Sequence, residues 1–313
     1  MKAAGEKTLI VVTGPTGSGK TALAIELAQR LGCHIISADS RQLYRELSIG
    51  TAAPMPDELA AAPHHNIGTL ELTDYYSAAQ FETETLDLLA RLFATSDYAI
   101  LCGGSMMYVD AVTRGIDELP TISPEVRARA YGLLEREGID AVSRELEKLD
   151  PDYFATVDRQ NHKRLVHALE ICWEAGCPYS SLRTGQPKSR SFRIVKVALD
   201  YPRDELFGRI NRRVELMVEN GLVEEARRVY DRRHLNALNT VGYKEMFACF
   251  DGDWDLPTAM ARMAKNTRVY AKKQLTWLKR DPEVHWLDPH AASLADDVMA
   301  LIDNQKKQQG AGA

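Results

Sequence analysis

The sequence predicts an α/β fold: a parallel-sheet core interrupted by an inserted all-helical domain. Three observations predict it. Short apolar runs alternate with amphipathic helical stretches, which implies right-handed crossovers and a parallel sheet. The first run, Leu9-Ile10-Val11-Val12, leads straight into "GPTGSGKT", a match to the phosphate-cradling G-x-x-x-x-G-K-[ST] loop. The alternation then stops for some seventy residues and resumes, so the helical stretch is an insertion rather than a separate half.

Taken in order, 8–13 reads as a strand and 20–31 as a helix with Leu23, Leu27 and Leu31 on one face. "CHIISADS" (33–40) reads as a second buried strand, 77–93 as a helix capped by Ser77, and "YAILCGGS" (98–105) as a third strand stopping at a glycine turn. Between 119 and 191 "SPEVRARAYGLLEREG" and "DRQNHKRLVHALEICWEAG" are helical with no strand between them. "RIVKVALDY" (193–201) returns to the sheet and "EVHWLD" (283–288) reads as an edge strand. The domains are thus 1–118 with 192–313, a P-loop NTPase-like core, and 119–191, the helical insertion. The closing "NQKKQQGAGA" has the composition of a disordered tail.

Composition is that of an ordinary globular chain, with 45% hydrophobic and 27% charged residues in 313. No apolar run could span a bilayer, and "MKAAGEKT" lacks the apolar core of a signal peptide. Five cysteines without metal-ligand spacing (Cys33, Cys102, Cys172, Cys177, Cys249) read as reduced core thiols of a cytoplasmic protein. His64-His65 has no third ligand spaced to join it and reads as local hydrogen bonding. Met106, Met107, Met260 and Met263 read as packing, with an apolar channel as the functional alternative, and Trp254, Trp277 and Trp286 as core.

The net charge of −5 hides an asymmetry. Residues 1–118 hold 8 Lys/Arg against 15 Asp/Glu, whereas 183–280 hold 21 against 12. Arg262, Lys265, Arg268, Lys272 and Lys279 recur at steps of three, three, four and seven, which makes one stripe on a helix. A solvated face is the simpler reading of any charge run. A one-sided basic stripe on an otherwise acidic chain also suits a polyanion, most simply nucleic acid.

Ligands of such sheets collect at the carboxyl ends of the strands. That places Gly14–Thr21, Asp39–Gln42 and Gly103–Ser105 around one crevice. The loop recognises a polyphosphate through backbone N–H groups, the helix dipole, Lys20 and the Thr21 hydroxyl. Asp39, at a strand end, has three readings: a Mg²⁺ ligand, a general base, or a cap for the next segment. An ordinary P-loop NTPase would end the 98–105 strand in an Asp that holds Mg²⁺. Here it ends in "GGS", which argues against hydrolysis and for another reactant beside the phosphates.

The run of "GPTGSGKTALA", "ISADSRQLYRELSIGTAAP", "APHH", "YSAAQF", "CGGSMMY", "RLVHALEI", "RINRRVELMVENGL", "TVGYKEM" and "NTRVYAKKQLTWLKRD", over about 8–288, resembles the tRNA dimethylallyltransferases, also called tRNA isopentenyltransferases. The resemblance implies transfer of a prenyl group from dimethylallyl diphosphate, as co-substrate, to N6 of adenine 37 beside the anticodon. The loop would then hold a prenyl donor's diphosphate. The basic stripe would meet a tRNA anticodon stem-loop.

It further implies that Gly14, Pro15, Thr16, Gly17, Ser18, Gly19, Lys20, Thr21 and Arg213 hold the diphosphate, with Mg²⁺ near Thr21. Asp39 would be the catalytic base, with Lys20 and Ser105 beside it. Asp39, Ser40, Arg41, Gln42, Ser105, Arg127, Gln160, Asn161, His162, Lys163, Arg164, Tyr243, Lys244, Lys265, Arg268 and Lys272 would contact the tRNA. One departure from the family is Ser105, where threonine is common: the hydroxyl is kept and the methyl lost. Rival readings are an adenylate isopentenyltransferase acting on a free nucleotide, a P-loop kinase of a small metabolite, and a non-catalytic tRNA-binding protein. The default assembly is a monomer.

Overall fold

Thr8–Thr13 is apolar enough to be buried at all six positions, and it forms the inner strand β1 of a parallel sheet in a computed structural model that describes residues 7–310. The elements follow in chain order as α1 (Lys20–Leu31), β2 (Ile35–Ser37), α2 (Pro56–Ala61), β3 (His64–His65), α3 (Ala78–Phe93), β4 (Tyr98–Cys102) and α4 (Met106–Thr113). The sheet is regained with β5 (Arg193–Leu199) and closed by β6 (Val284–Leu287), in the order β3-β2-β4-β1-β5-β6. All pairings are parallel, with Ile10 opposite Ile100 on one side and Val195 on the other. Two apolar layers flank the sheet. One joins α1 and the final helix to the faces of Ile10, Val12 and Val197. The other packs Phe81, Leu89 and Val112 from α3 and α4 on Leu9, Val11 and Leu101.

The chain divides into two compact units, Met1–Thr113 with Arg190–Ala313, and Arg114–Ser189; the expected boundaries were 118/119 and 191/192. Within 114–189 the described residues form helices only: α5 (Pro124–Leu149), α6 (Pro151–Thr156), α7 (His162–Ala175) and α8 (Tyr179–Leu182). Leu165, Leu169 and Cys172 of α7 pack on Val142 and Leu146 of α5. Beyond β5 come α9 (Arg203–Glu219), α10 (Leu222–Val229), α11 (Tyr243–Phe250), α12 (Leu256–Leu278) and α13 (Leu294–Gly310). Val214, Met217, Leu222, Met246 and Met263 from α9 to α12 share a core of their own.

Several expectations need correction. The strand expected over 33–40 spans only Ile35–Ser37, because the chain leaves the sheet there to line the site, whereas β4 ends at Cys102, at the glycine turn expected for it. The two-residue edge strand β3 went unforeseen. His65 stacks on His34 with their ring nitrogens 2.9 Å apart, while His64 Nδ1 meets the Ala62 carbonyl. The tail expected to be disordered continues α13 as far as Gly310, a helix seeded by the buried Val298 and Ile302; 311–313 lie outside the described residues. Residues 1–6 of "MKAAGEKT" also lie outside them. All five cysteines are free, but Cys102, Cys177 and Cys249 are only half-buried. Met107 is exposed rather than packed, and the three tryptophans are half-buried. No described helix is long and apolar enough to cross a membrane.

Candidate active site

The carboxyl ends of β1, β2 and β4 open onto one cavity of about 590 Å³, roofed by α9 and α12. Its lining includes Thr16, Lys20 and Thr21 of the loop, the whole stretch Asp39–Gln42, the turn Cys102–Ser105, Arg213, and Lys244. The crevice read from the strand ends is therefore a single physical space.

On the loop side, α1 starts after Gly19 with no side chain capping its first turn, which leaves an N-terminal anion site. Lys20 donates to its own loop at the Pro15 carbonyl, 2.9 Å away, and Arg209 braces the loop from α9 by donating to Gly17 O at 2.8 Å. Burial lowers the Lys20 ammonium to about 8, with Arg213 adding to the fall and Cys102 and Asp39 opposing it. Burial also lowers Arg213, against the pull of Asp39. Arg213 makes no hydrogen bond or ion pair among the described residues, so its guanidinium is available to an anion. The Cys102 thiol is pushed up to about 11 by burial and is therefore not a nucleophile near neutrality. The Ser18 hydroxyl is buried without a partner among the described residues.

The opposite wall is the stretch after β2. Asp39 Oδ1 accepts the Arg41 N–H at 2.9 Å. Ser105 Oγ accepts the Ser40 N–H at 2.8 Å, and the Ser105 N–H donates to Ala38 O, so the serine carries the hydroxyl needed to hold the Asp39 segment. Gln42 accepts a hydrogen bond from the Ser37 hydroxyl and donates to Thr51 O and Ala52 O, while Arg41 donates to the carbonyls of Asn236 and Ala237. Arg41 and Gln42 thus fix loops that border the cavity. A cation at Thr21 would find that hydroxyl and, across the cavity, the Asp39 carboxylate; no cluster of three His, Cys, Asp or Glu exists among the described residues. Such a set suits Mg²⁺, which keeps waters and takes most of its other oxygens from substrate phosphates.

One expected contact is corrected. Tyr243 is fully buried, and its hydroxyl donates to Glu225 Oε1 at 2.6 Å, so it faces the core rather than a ligand. Lys265 and Lys272 are exposed on α12, as the stripe requires. Arg268 is half-buried, bonded to Asn211 and placed over Phe207. Arg127 and Gln160–Arg164 belong to the other unit. There Asn161 caps α7 by accepting the Arg164 N–H, Arg127 lies 3.7 Å from Glu170, and His162 and Lys163 are exposed.

Two site-building residues went unforeseen. Gln274 of α12, 2% exposed, accepts the Thr16 N–H at 2.9 Å and donates to Gly104 O at 2.8 Å. Glu225 of α10, 1% exposed, gathers the N–H groups of Ser48, Ile49 and Gly50 as well as the Tyr243 hydroxyl. A polar residue in the apolar stripe of α12 was the legible signal for Gln274; Glu225 left none.

A P-loop sequence and the Asp39 carboxylate line one cavity, and β4 beside the loop strand ends in glycines where a Walker-type aspartate would stand, a combination that suits a transferase better than a nucleotide hydrolase. The family model described as IPP transferase matches residues 42–281. The chain is 54% identical to tRNA dimethylallyltransferase 1 of Bacteroides thetaiotaomicron, over 90% of this chain and 92% of that one. It is 53% identical to tRNA dimethylallyltransferase 2 of Parabacteroides distasonis, over 96% and 99%. Among solved structures it resembles the full-length tRNA isopentenylpyrophosphate transferase of Bacillus halodurans, with a TM-score of 0.69, 33% identity, and 97% and 96% of the two chains covered. The chain belongs to the IPP transferase family.

Proposed function

We propose that the protein is a tRNA prenyltransferase that moves a dimethylallyl group from dimethylallyl diphosphate to N6 of adenine 37, giving N6-(dimethylallyl)adenosine and diphosphate. The observation that carries this reading is the convergence of Lys20 and the unpaired Arg213 on a phosphate loop, with Asp39 across the same cavity.

An allylic diphosphate cleaves with negative charge growing on the leaving group. The N–H groups opening α1 are fixed in advance to stabilise that charge, and Lys20 and Arg213 add positive charge from side chains that line the same cavity. Diphosphate binding would draw Lys20 from Pro15 O and restore its full charge. Thr21 would help to hold Mg²⁺, which supplies further charge neutralisation when bound. The exocyclic amine of adenine is a poor nucleophile, because its lone pair is delocalised into the ring. Asp39 would take its proton as the C–N bond forms, while Ser105 keeps the Asp39 segment in place. The base must leave the stacked anticodon loop to reach a cavity at the sheet's strand ends. The exposed Lys265 and Lys272 of α12 suit the RNA backbone, as do His162 and Lys163 in the helical unit. We further propose a cytoplasmic monomer.

Incubation with labelled dimethylallyl diphosphate and either unmodified tRNA or AMP tests the reading. Label in tRNA alone supports it. Label in AMP points to the free-nucleotide enzyme, and tRNA-stimulated ATP hydrolysis without label transfer refutes it.

A further inference from the structure

The Gln274 bridge spans a place that other P-loop proteins use differently. In an NTPase the strand beside the loop strand ends in the carboxylate that holds Mg²⁺ against the third phosphate. Here that neighbour is β4, paired with β1 from Thr8 opposite Tyr98 to Val12 opposite Cys102, and it runs out into Gly103-Gly104. The buried amide of Gln274 fills the gap between the loop and this turn, with its oxygen on Thr16 N–H and its nitrogen on Gly104 O. The partners fix its orientation, since one can only donate and the other only accept. Gly104 is shaped to admit it: a Cβ there would stand 2.4 Å from Gln274 Nε2 and 3.4 Å from Gly14 O.

Two consequences follow from this geometry. The Thr16 N–H, one of the donors a phosphate loop would offer, is already taken. The volume between the loop and the β4 turn, where a third phosphate would extend, is filled by a side chain anchored in a 23-residue helix. We infer that Gln274 is a specificity-determining and positioning residue: its bulk closes this P-loop against a third phosphate, and its two hydrogen bonds set the loop for a diphosphate. The inference rests on the prenyl-donor reading of the cavity.

Binding of inorganic pyrophosphate and tripolyphosphate to the full-length protein, measured by calorimetry with Mg²⁺ in the buffer, tests it without any transfer chemistry. Gln274→Ala opens the gap and frees the Thr16 N–H, so the ratio of pyrophosphate to tripolyphosphate affinity falls by about tenfold. Gln274→Met keeps the volume and loses the hydrogen bonds, so the ratio stays near the wild-type value while pyrophosphate affinity drops by about fivefold. An unchanged ratio in the alanine variant overturns the inference, and so does a methionine variant that loses discrimination as fully. Should Gln274→Ala fail to fold, pyrophosphate affinity unchanged in Gln274→Met overturns the positioning role by itself. Label transfer to tRNA, assayed separately on the wild type, tells a failure of the functional reading from a failure of this one.

Discussion

Asp39→Asn separates the roles open to this carboxylate more cleanly than any other substitution. Its structural task is visible: Oδ1 accepts the Arg41 N–H at 2.9 Å and turns the chain after β2. Asparagine offers the same acceptor, so the change costs only the difference between a charged and a neutral bond, about 1 kcal/mol of stability. A general base is worth ~10²–10⁴-fold, so the chemical step should slow by at least about 10²-fold, or about 2.7 kcal/mol of barrier. The structure adds a confounding effect. Asp39 raises the pKa of Lys20, which already sits at about 8, so the variant lowers it further and discharges Lys20 at mildly alkaline pH. The assay therefore belongs below neutrality, where Lys20 is charged in both proteins. Single-turnover transfer at saturating dimethylallyl diphosphate and tRNA isolates the chemistry from binding. A variant rate within a few-fold of wild type would leave Asp39 a turn-former and remove the base from the mechanism.

Other substitutions test other parts of the site. Lys20→Ala should abolish transfer and weaken donor binding while sparing tRNA affinity, as read by kinetics and filter binding. Because Lys20 loses its proton near pH 8, apo-protein affinity for pyrophosphate should fall as pH rises from 7 to 9, and binding at about pH 8 should take up protons; proton-independent binding in buffers of different ionisation enthalpy would contradict this. Lys265→Ala with Lys272→Ala should flatten the salt dependence of tRNA binding, at about 0.7–0.9 in log–log slope per lost phosphate contact. Tyr243→Phe removes a buried donor to Glu225 and should cost about 1.5–3 kcal/mol in denaturant unfolding with tRNA affinity unchanged.

What the sequence made legible was local. The span of α1 and the Ser77 cap of α3 follow from apolar spacing and capping chemistry within a few residues, and the structure has both. The P-loop could be read for the same reason: strand, glycine turn and helix are contiguous. The end of the second strand was misjudged because "SADS" continues the polar-apolar texture of a strand, while the site needs the backbone to leave the sheet there; the glycine turn after β4 was legible. Tyr243 was placed at the tRNA by the resemblance alone; the approach of α10 buries it and gives its hydroxyl to Glu225. No period or motif announces partners as far along the chain as Thr16 and Gly104 are from Gln274.

That same distance explains how the cavity holds its shape. Its three strand-end loops carry little regular structure, and each is secured from a helix far away in sequence. Gln274 on α12 ties the phosphate loop to the β4 turn. Glu225 on α10 gathers the 48–50 backbone, which borders the cavity at Gly50 and in turn carries the carbonyls that hold Gln42. Arg209 on α9 grips Gly17. The buried Gln274 and Glu225 meet backbone groups that would otherwise go unpaired away from water, so losing either unseats a loop as well as a contact. Glu225→Gln makes the point testable. A neutral amide presents one acceptor where the carboxylate presented two, and its NH₂ faces donors among Ser48, Ile49, Gly50 and Tyr243. The variant should unfold about 2–3 kcal/mol more easily. Because Gln42 hangs from the 51–52 carbonyls and adjoins Asp39, transfer to tRNA should also slow several-fold at saturating substrates, with pyrophosphate affinity kept. Equal losses in pyrophosphate binding and in transfer would show that the 48–52 loop does not act through the Asp39 wall.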